Sequence, residues 1–325
     1  MLDNGINPHD IVWIDPDFLV GDFGKKWRFV SSNTTVKNLK DYLTAIKSFD
    51  YDHKSTRYDI KSMDEKGFTP LKDVAIPLQY ITDKLMSSVV TIKDEIISQN
   101  CSNAAWQLTG KKNNLSAKKV ILATGSYANS MNINNLTEID LATALTPHML
   151  KSNISDDDNV AVFGSSHSAI AIIKNLLDCG VKNVINLYRS PLKYALRMQG
   201  WTLYDNTGLK GNTAIWAREN ISQNLDSRIT RHILANDDEL SQKLRSCNKV
   251  VYATGFTQRA PQVYGVNTQR YDSSNGIIAP GLFGVGIGFP KKVSDPNGNI
   301  ELNVGLHKFM LDLKISLPIW MQYGL

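Results

Sequence analysis

Short apolar runs, each closed by small or polar residues, recur along the chain of 325 residues. They are three to five residues long and consist mainly of Val, Ile, Leu and aromatic residues. This pattern is typical of strands that are buried on both faces of a parallel sheet. We therefore predict strands at residues 11–14, 159–163 and 184–188, and one strand within each of the runs 118–126 and 249–256.

Between residues 163 and 184 the apolar spacing changes to that of a helix. The aliphatic side chains at positions 170, 172, 173, 176 and 177 share one face of a helix, and Gly180 would close it. A strand, a helix and a second strand in this order form a βαβ unit. The sequence therefore predicts one half of a dinucleotide-binding domain here.

A turn of small residues joins the first strand of this unit to its helix. Backbone N–H groups at the start of a helix bind phosphate, so the turn predicts the pyrophosphate site of an NAD(P) cofactor. The alternative is a tight turn that binds nothing, and we interpret His167 as a turn residue rather than a catalyst. The predicted cofactor-binding residues are Gly164, Ser165, Ser166, His167, Ser168 and Ala169.

Arg189 directly follows the second strand of the βαβ unit. An acidic residue at this position favours NAD, whereas an arginine accommodates the 2′-phosphate of NADP. We therefore predict NADPH rather than NADH as the cofactor. The alternative for Arg189 is a solvated arginine on the surface.

The first predicted strand, at residues 11–14, ends in Asp15. An acid at the end of the second strand of a dinucleotide-binding unit bonds the ribose of an adenine nucleotide. The matching glycine loop is expected about 20 residues earlier, which lies before Met1. We therefore expect the domain to be N-terminally incomplete. A residue that closes a strand-ending turn is the alternative for Asp15.

Composition limits the other classes of function. The net charge is only +5, and no run is basic enough to indicate nucleic acid binding. The three cysteines lie far apart in the sequence and the six histidines are scattered, so we predict neither a dithiol redox pair nor a metal site. No apolar stretch reaches membrane-spanning length, and reduced thiols indicate the cytoplasm.

Two Ala-Thr-Gly segments end the strands before Gly125 and Gly255, and the G-S-S-H-S-A turn lies between them. Together with the segments 21–27 and 32–37, these motifs make the chain resemble the flavin-containing monooxygenase branch of the FAD- and NAD(P)H-dependent oxidoreductases. The resemblance covers nearly the whole chain. It implies an α/β fold with two Rossmann-like dinucleotide-binding domains, in which the NAD(P) domain is inserted into the FAD domain.

The resemblance also implies a domain order and cofactors. Residues 1–155 and 251–325 would form the FAD-binding domain, and residues 156–250 the NAD(P)-binding domain. It implies that Asn33 lies near the reactive edge of the flavin, where its amide would serve catalysis. The alternative for Asn33 is an ordinary turn asparagine, and the alternative for Trp27 is a core tryptophan. The further residues assigned to FAD and to the domain crossings are Asp15, Trp27, Gly125, Gly255 and Gly286.

The implied activity is monooxygenase-type hydride transfer from NADPH to FAD, with a small-molecule substrate and with a homo-oligomer as one possible assembly. Ser166 replaces the second glycine of the turn, which makes close approach of a pyrophosphate to the backbone harder. The absence of a redox cysteine pair argues against a disulfide reductase. An alternative stays open at this point. A chain without the FAD glycine loop could be a non-catalytic, truncated nucleotide-binding relic that acts as an interaction protein.

Overall fold

The computed structural model describes residues 1–51, 57–131, 133–234 and 237–324, and of residues 237 and 238 only the backbone. It has the five predicted strands, so this part of the sequence interpretation is confirmed. The strands are β1 Val12–Asp15, β2 Val90–Lys93, β3 Ile96–Ser102, β4 Ala105–Gly110, β5 Asn114–Ala117, β6 Val120–Leu122, β7 Ser126–Ala128, β8 Thr137–Glu138, β9 Asn159–Phe163, β10 Asn183–Tyr188, β11 Leu196–Arg197, β12 Thr202–Leu203, β13 Ile229–Ile233, β14 Lys249–Tyr252, β15 Phe256–Gln258, β16 Gln262–Val263, β17 Ile277–Ala279, β18 Leu282–Gly284, β19 Lys291–Ser294 and β20 Ile300–Asn303.

The α-helices range from one to nearly five turns. Within the described ranges, no helix combines the length and apolarity that a membrane crossing requires. The helices are α1 Gly21–Lys25, α2 Val36–Thr44, α3 Lys72–Met86, α4 Leu141–Leu145, α5 Pro147–Lys151, α6 His167–Asp178, α7 Gly211–Ala217, α8 Asp237–Leu244 and α9 Leu306–Gln322.

The chain forms two compact units. Unit 1 consists of residues 1–126, 258–293 and 302–325, and unit 2 consists of residues 127–257 and 294–301. These divisions differ from the predicted boundaries after residues 155 and 250. Residues 127–155 join unit 2 because β8 pairs with β14, and because the Asn175 side chain of α6 donates a hydrogen bond to the Ala144 carbonyl of α4.

Unit 2 is built on a parallel sheet with the strand order β13-β10-β9-β14-β8. The central strand β9 is almost wholly buried, which explains why its sequence is apolar without alternation. Helix α6 turns the predicted apolar face into this core through Ile170, Ile172, Ile173 and Leu176, all of which are fully buried. The βαβ prediction for residues 159–188 is therefore confirmed.

Unit 1 contains three further sheets. Strands β1 and β2 pair in parallel, as do β6 and β18, and β17 is added antiparallel to β18. A four-stranded sheet has the order β16-β3-β4-β5. One core forms between α2 and α3 around Leu43 and Ile60, and a second core surrounds Trp106 and Leu282.

Two elements lie outside the predicted strands and βαβ unit. The C-terminal helix α9 runs through Pro318 to Gln322. It continues because Trp320 is buried and stacks on Phe283, with ring centres 5.1 Å apart. Residues 191–220 contain the antiparallel pair β11–β12 and helix α7.

Candidate functional site

The turn between β9 and α6 requires the unusual backbone of Gly164. Its φ is +122°, and a Cβ atom there would lie 2.4 Å from the carbonyl oxygen of Ala253 and 3.3 Å from Cβ of Ala169. The Gly164 N–H donates to the Leu187 carbonyl at 2.8 Å. Side chains rarely adopt this φ, and β14 leaves no space for one. Glycine at this position therefore allows the turn to pack closely against Ala253 and Ala169.

The start of α6 carries donors that the helix itself does not use. Ser166 is the N-cap residue, with φ −89° and ψ −173°, and its side chain makes no capping hydrogen bond. The Ser165 hydroxyl instead donates to the Ser190 carbonyl at 2.7 Å, which fastens the turn to the chain beyond β10. The first N–H groups of a helix lack intrahelical acceptors and carry partial positive charge. The turn is thus open to an anion.

Serine in place of the second glycine does not distort the turn. The φ of Ser166 lies in the region that any residue adopts, and the side chain is exposed. The backbone at this position therefore does not require a glycine.

His167 begins helix α6 with its ring largely enclosed. Its Nε2 lies 3.4 Å from Oγ1 of Thr213, and among the described residues its Nδ1 has no hydrogen-bond partner. Burial, reinforced by the nearby charge of Lys210, lowers the pKa of His167 to about 4. The imidazole is therefore neutral at pH 7 and adds no charge to the turn.

This neutral histidine predicts a pH effect on stability. The unfolded chain takes up a proton below the ordinary pKa of 6.5, whereas the native ring stays neutral until about pH 4. The contribution of His167 to the free energy of unfolding, on the order of 2–3 kcal/mol, should therefore be fully present above pH 6.5. It should be lost progressively as the pH drops from 6.5 towards 4. Chemical denaturation across this range, on wild type and on His167→Gln, measures the difference.

The matched control is His148→Gln, which changes an exposed histidine on α5. It should keep the pH dependence of the wild type. An identical pH slope for wild type and His167→Gln would show that the ring of His167 is not held neutral by the fold.

Arg189 is exposed immediately after β10, next to Ser190 and hence next to the turn. Two further arginines of unit 2 lie over aromatic rings nearby in the chain or in the sheet: Arg218 is 4.6 Å from the ring centre of Tyr194, and Arg231 is 4.3 Å from that of Tyr188. Among the described residues, no carboxylate forms an ion pair with any of these three arginines. Two of these arginines thus stack on tyrosines of unit 2, and Arg189 is exposed at the end of β10.

In unit 1, Arg259 forms hydrogen bonds with α1 and with the segment around the predicted residue Gly125. Its Nη2 donates to the Asp22 carboxylate of α1 at 2.6 Å and to the Ser126 carbonyl at 3.0 Å. Its backbone N–H donates to the Gly125 carbonyl at 3.0 Å. A Cβ atom on Gly288 would lie 2.5 Å from the same carbonyl. The Ala-Thr-Gly segment, α1 and the glycine-rich turn after β18 therefore meet at one arginine.

Gly125 and Gly286 share an open backbone. Their φ values are +77° and +84°, and no heavy atom lies within 4 Å of the position where a Cβ would stand on either residue. A flat ligand can approach such a backbone more closely than it can approach a side chain. Gly255 of unit 2 also has a positive φ, +100°, and its carbonyl accepts a hydrogen bond from the Asn129 N–H at 3.0 Å.

The remaining predicted residues of unit 1 occupy turns and loops. Asp15 ends β1, and its Oδ1 accepts hydrogen bonds from the N–H groups of Asp17 and Phe18 at 2.8 and 2.6 Å, as in the turn alternative. Trp27 is half-buried after α1. Asn33 is exposed before α2, and the Thr34 hydroxyl donates to its Oδ1 at 3.4 Å. The described contacts do not join these three residues into one cluster.

Three residues with a clear place in these sites escaped the sequence analysis. Asn186 and Arg231 lie on neighbouring strands of unit 2, and Arg259 lies in unit 1. Asn186 alone gave a signal, as a polar residue within an otherwise apolar strand. The two arginines gave none, because their partners are distant in sequence.

Comparisons with known proteins extend these observations. No family model matches the chain. The monooxygenase AgnR1 of Paecilomyces divaricatus is 30% identical over 360 aligned positions, which cover 96% of this chain and 91% of that protein. A flavin-containing monooxygenase from Stenotrophomonas maltophilia has a similar structure, with a TM-score of 0.61, 12% identity, and coverage of 93% of this chain and 88% of that one.

A second solved structure gives the same fold. It is the ornithine N-hydroxylase of Kutzneria sp. 744 in complex with reduced FAD, NADP⁺ and L-ornithine, with a TM-score of 0.61 and 10% identity. The match covers 97% of this chain and 99% of that chain. At such low identity the likeness establishes the fold alone, a mixed α/β fold shared with these two structures.

The sequence comparison with AgnR1, together with the shared fold, gives the class of protein, a flavin-dependent oxidoreductase. The identity with AgnR1 over nearly the whole length of both proteins then sets the family: the chain belongs to the flavin-containing monooxygenase-like FAD/NAD(P)-binding oxidoreductases. The sequence prediction of a monooxygenase-type flavoprotein enzyme is confirmed, and the non-catalytic alternative is not supported.

Proposed function

We propose that the protein is an FAD-dependent monooxygenase that takes hydride from NADPH and oxidises a small-molecule substrate. The observation that carries the proposal is the Gly164 turn. A left-handed glycine leads from the buried strand β9 into the uncapped start of α6, and Arg189 is exposed at the end of the adjacent strand β10. We assign residues 156–250, within unit 2, to the NAD(P)-binding domain and unit 1 to the FAD-binding domain.

The choice of NADPH rests on charge. The guanidinium of Arg189 is exposed and has no carboxylate partner among the described residues, so it can grip the 2′-phosphate with two parallel hydrogen bonds. The pyrophosphate would lie against the N–H groups at the start of α6. His167, being neutral, would enclose the turn without competing for the phosphate. The NADP⁺ in the Kutzneria relative supports this assignment.

On the side of unit 1, the residues fit a flavin. Gly125 and Gly286 offer bare backbone next to open space, as close approach of a planar ring requires. Arg259 fixes Gly125 and α1, and Asp15 keeps its second carboxylate oxygen for a ribose hydroxyl. Bound flavin supplies the two-electron transfer and the reaction with oxygen. We assign Trp27 to a wall of this site and the Asn33 amide to a hydrogen bond at its reactive edge.

The proposed activity is tested by flavin spectroscopy. The purified protein, supplemented with FAD, should retain visible flavin absorbance after gel filtration. Anaerobic addition of NADPH should bleach this absorbance, NADH should do so more slowly, and air should restore it. A protein that stays colourless with FAD would overturn the assignment of unit 1. A yellow protein that NADPH does not bleach would overturn hydride transfer from the Gly164 site.

A further inference from the structure

A buried side-chain amide on β10 forms a hydrogen bond with the backbone of the Gly164 turn. Asn186 is fully buried, and its Nδ2 donates to the carbonyl oxygens of Val162 and Gly164 at 3.0 and 2.8 Å. In a planar trans peptide the C=O and the following N–H point in opposite directions. Because the Gly164 carbonyl faces Asn186, the Ser165 N–H points away from it. Asn186 therefore sets the direction of the first N–H group of the turn.

Arg231 fixes this amide from the next strand. It lies opposite Asn186 in the β10–β13 register, and its Nε donates to Asn186 Oδ1 at 2.9 Å. Two carbonyls on the Nδ2 side and a guanidinium on the Oδ1 side allow only one orientation of the amide. The reverse orientation would set oxygen against two carbonyl oxygens and N–H groups against a cation, leaving all of them unsatisfied.

The guanidinium of Arg231 is held by neighbours other than carboxylates in the part of unit 2 that the structure describes. Among the described residues, no carboxylate lies within ion-pair distance of its guanidinium, and its Nη2 is buried without a hydrogen-bond partner. The ring of Tyr188 stacks on it with the guanidinium carbon 4.3 Å from the ring centre. Arg231 is thus half-buried between the Tyr188 ring and the Asn186 amide, and its Nε is used for the hydrogen bond to that amide.

We infer that Arg231 and Asn186 form a relay that positions the Gly164 turn for the pyrophosphate of the dinucleotide. The inference rests on the proposed dinucleotide site and adds positioning residues to it. The pyrophosphate is common to NADH and NADPH, so the relay acts equally on both. This separates it from Arg189, whose proposed target is the 2′-phosphate that only NADPH carries.

The test compares affinities for both nucleotides by titration calorimetry. Arg231→Met keeps the stem of the side chain about as far as the Nε position but removes the donor, the charge and the guanidinium that stacks on Tyr188. It should weaken NADPH and NADH by the same factor, about tenfold, as expected for loss of a charge-assisted hydrogen bond. Arg228→Met is the matched control, because Arg228 is engaged with Asp226 at 2.8 Å and with the Leu177 carbonyl. It should leave both affinities unchanged.

A second measurement does not depend on nucleotide binding. Hydrogen–deuterium exchange of the nucleotide-free protein reports the segment 160–170, where the Gly164 N–H bonds to the Leu187 carbonyl. Exchange should be faster in Arg231→Met than in wild type and in Arg228→Met. Arg231→Lys, which keeps a donor for Asn186 Oδ1, should recover part of both the affinity and the protection.

The outcomes separate the relay from the proposed function. Failure of the wild type to bind either nucleotide would end the proposed function, and unchanged exchange in Arg231→Met would by itself overturn the relay. A loss confined to NADPH would make Arg231 a ligand of the 2′-phosphate and overturn the relay. Equal losses of affinity in Arg231→Lys and Arg231→Met would also overturn the relay. The stacking of the guanidinium on Tyr188, which both variants lose, would then be responsible instead of the hydrogen bond to Asn186.

Discussion

Gly164→Val should abolish dinucleotide binding, with a loss of affinity of at least about a hundredfold for NADPH and NADH alike. Its Cβ would meet the Ala253 carbonyl at 2.4 Å, and φ +122° is strained for any side chain. The turn must then move, and the N–H groups at the start of α6 move with it. Titration calorimetry measures the loss, and circular dichroism checks that most of the fold persists.

The control for this prediction compares the nucleotide affinity of Gly164→Ala with that of Gly298→Ala. Gly298 also has a positive φ, +82°, and also belongs to unit 2, but no heavy atom lies within 4 Å of its Cβ position. Both substitutions carry backbone strain of about 1–2 kcal/mol, and only the first brings a collision. Gly298→Ala should keep full affinity. Retained affinity in Gly164→Val would show that the turn is structural only.

Arg189→Ala should weaken NADPH by about ten- to a hundredfold while leaving NADH nearly unchanged. Only NADPH offers a 2′-phosphate, and the guanidinium is exposed directly after β10, without a carboxylate partner among the described residues. The ratio of the two affinities is the informative quantity, since general damage to the site lowers both.

Arg197→Ala serves as the control for Arg189→Ala, because Arg197 is likewise an exposed arginine of unit 2, on β11. It should preserve the preference for NADPH. If Arg189→Ala weakened both nucleotides equally, Arg189 would not contact the 2′-phosphate, and the preference for NADPH would need another source.

The sequence predicted the centre of unit 2 well because its signals are local. Strand β9, the turn and the apolar face of α6 follow one another within 20 residues, and each element needs only its own pattern to be recognised. The requirement for glycine at residue 164 was also visible as a small-residue turn. Its physical cause was not, because the Ala253 carbonyl that excludes a side chain lies 89 residues away.

The relay could not have been predicted, because it depends on strand register. Asn186 lies beside Val162 and opposite Arg231 only through the pairing of β10 with β9 and with β13, and β13 itself was not predicted. Likewise, the helical continuation of α9 beyond Pro318 depends on the packing of Trp320 against Phe283. Contacts between distant segments decided these features, and local propensity did not.

The central claim is that the Gly164 turn holds the pyrophosphate of NADPH, and a crystal structure of the protein with NADP⁺ tests it most directly. We predict that the pyrophosphate oxygens lie within hydrogen-bonding distance of backbone N–H groups of residues 165–168, with the 2′-phosphate on the guanidinium of Arg189. A nucleotide bound elsewhere, or one whose phosphates contact neither the turn nor Arg189, would contradict the account.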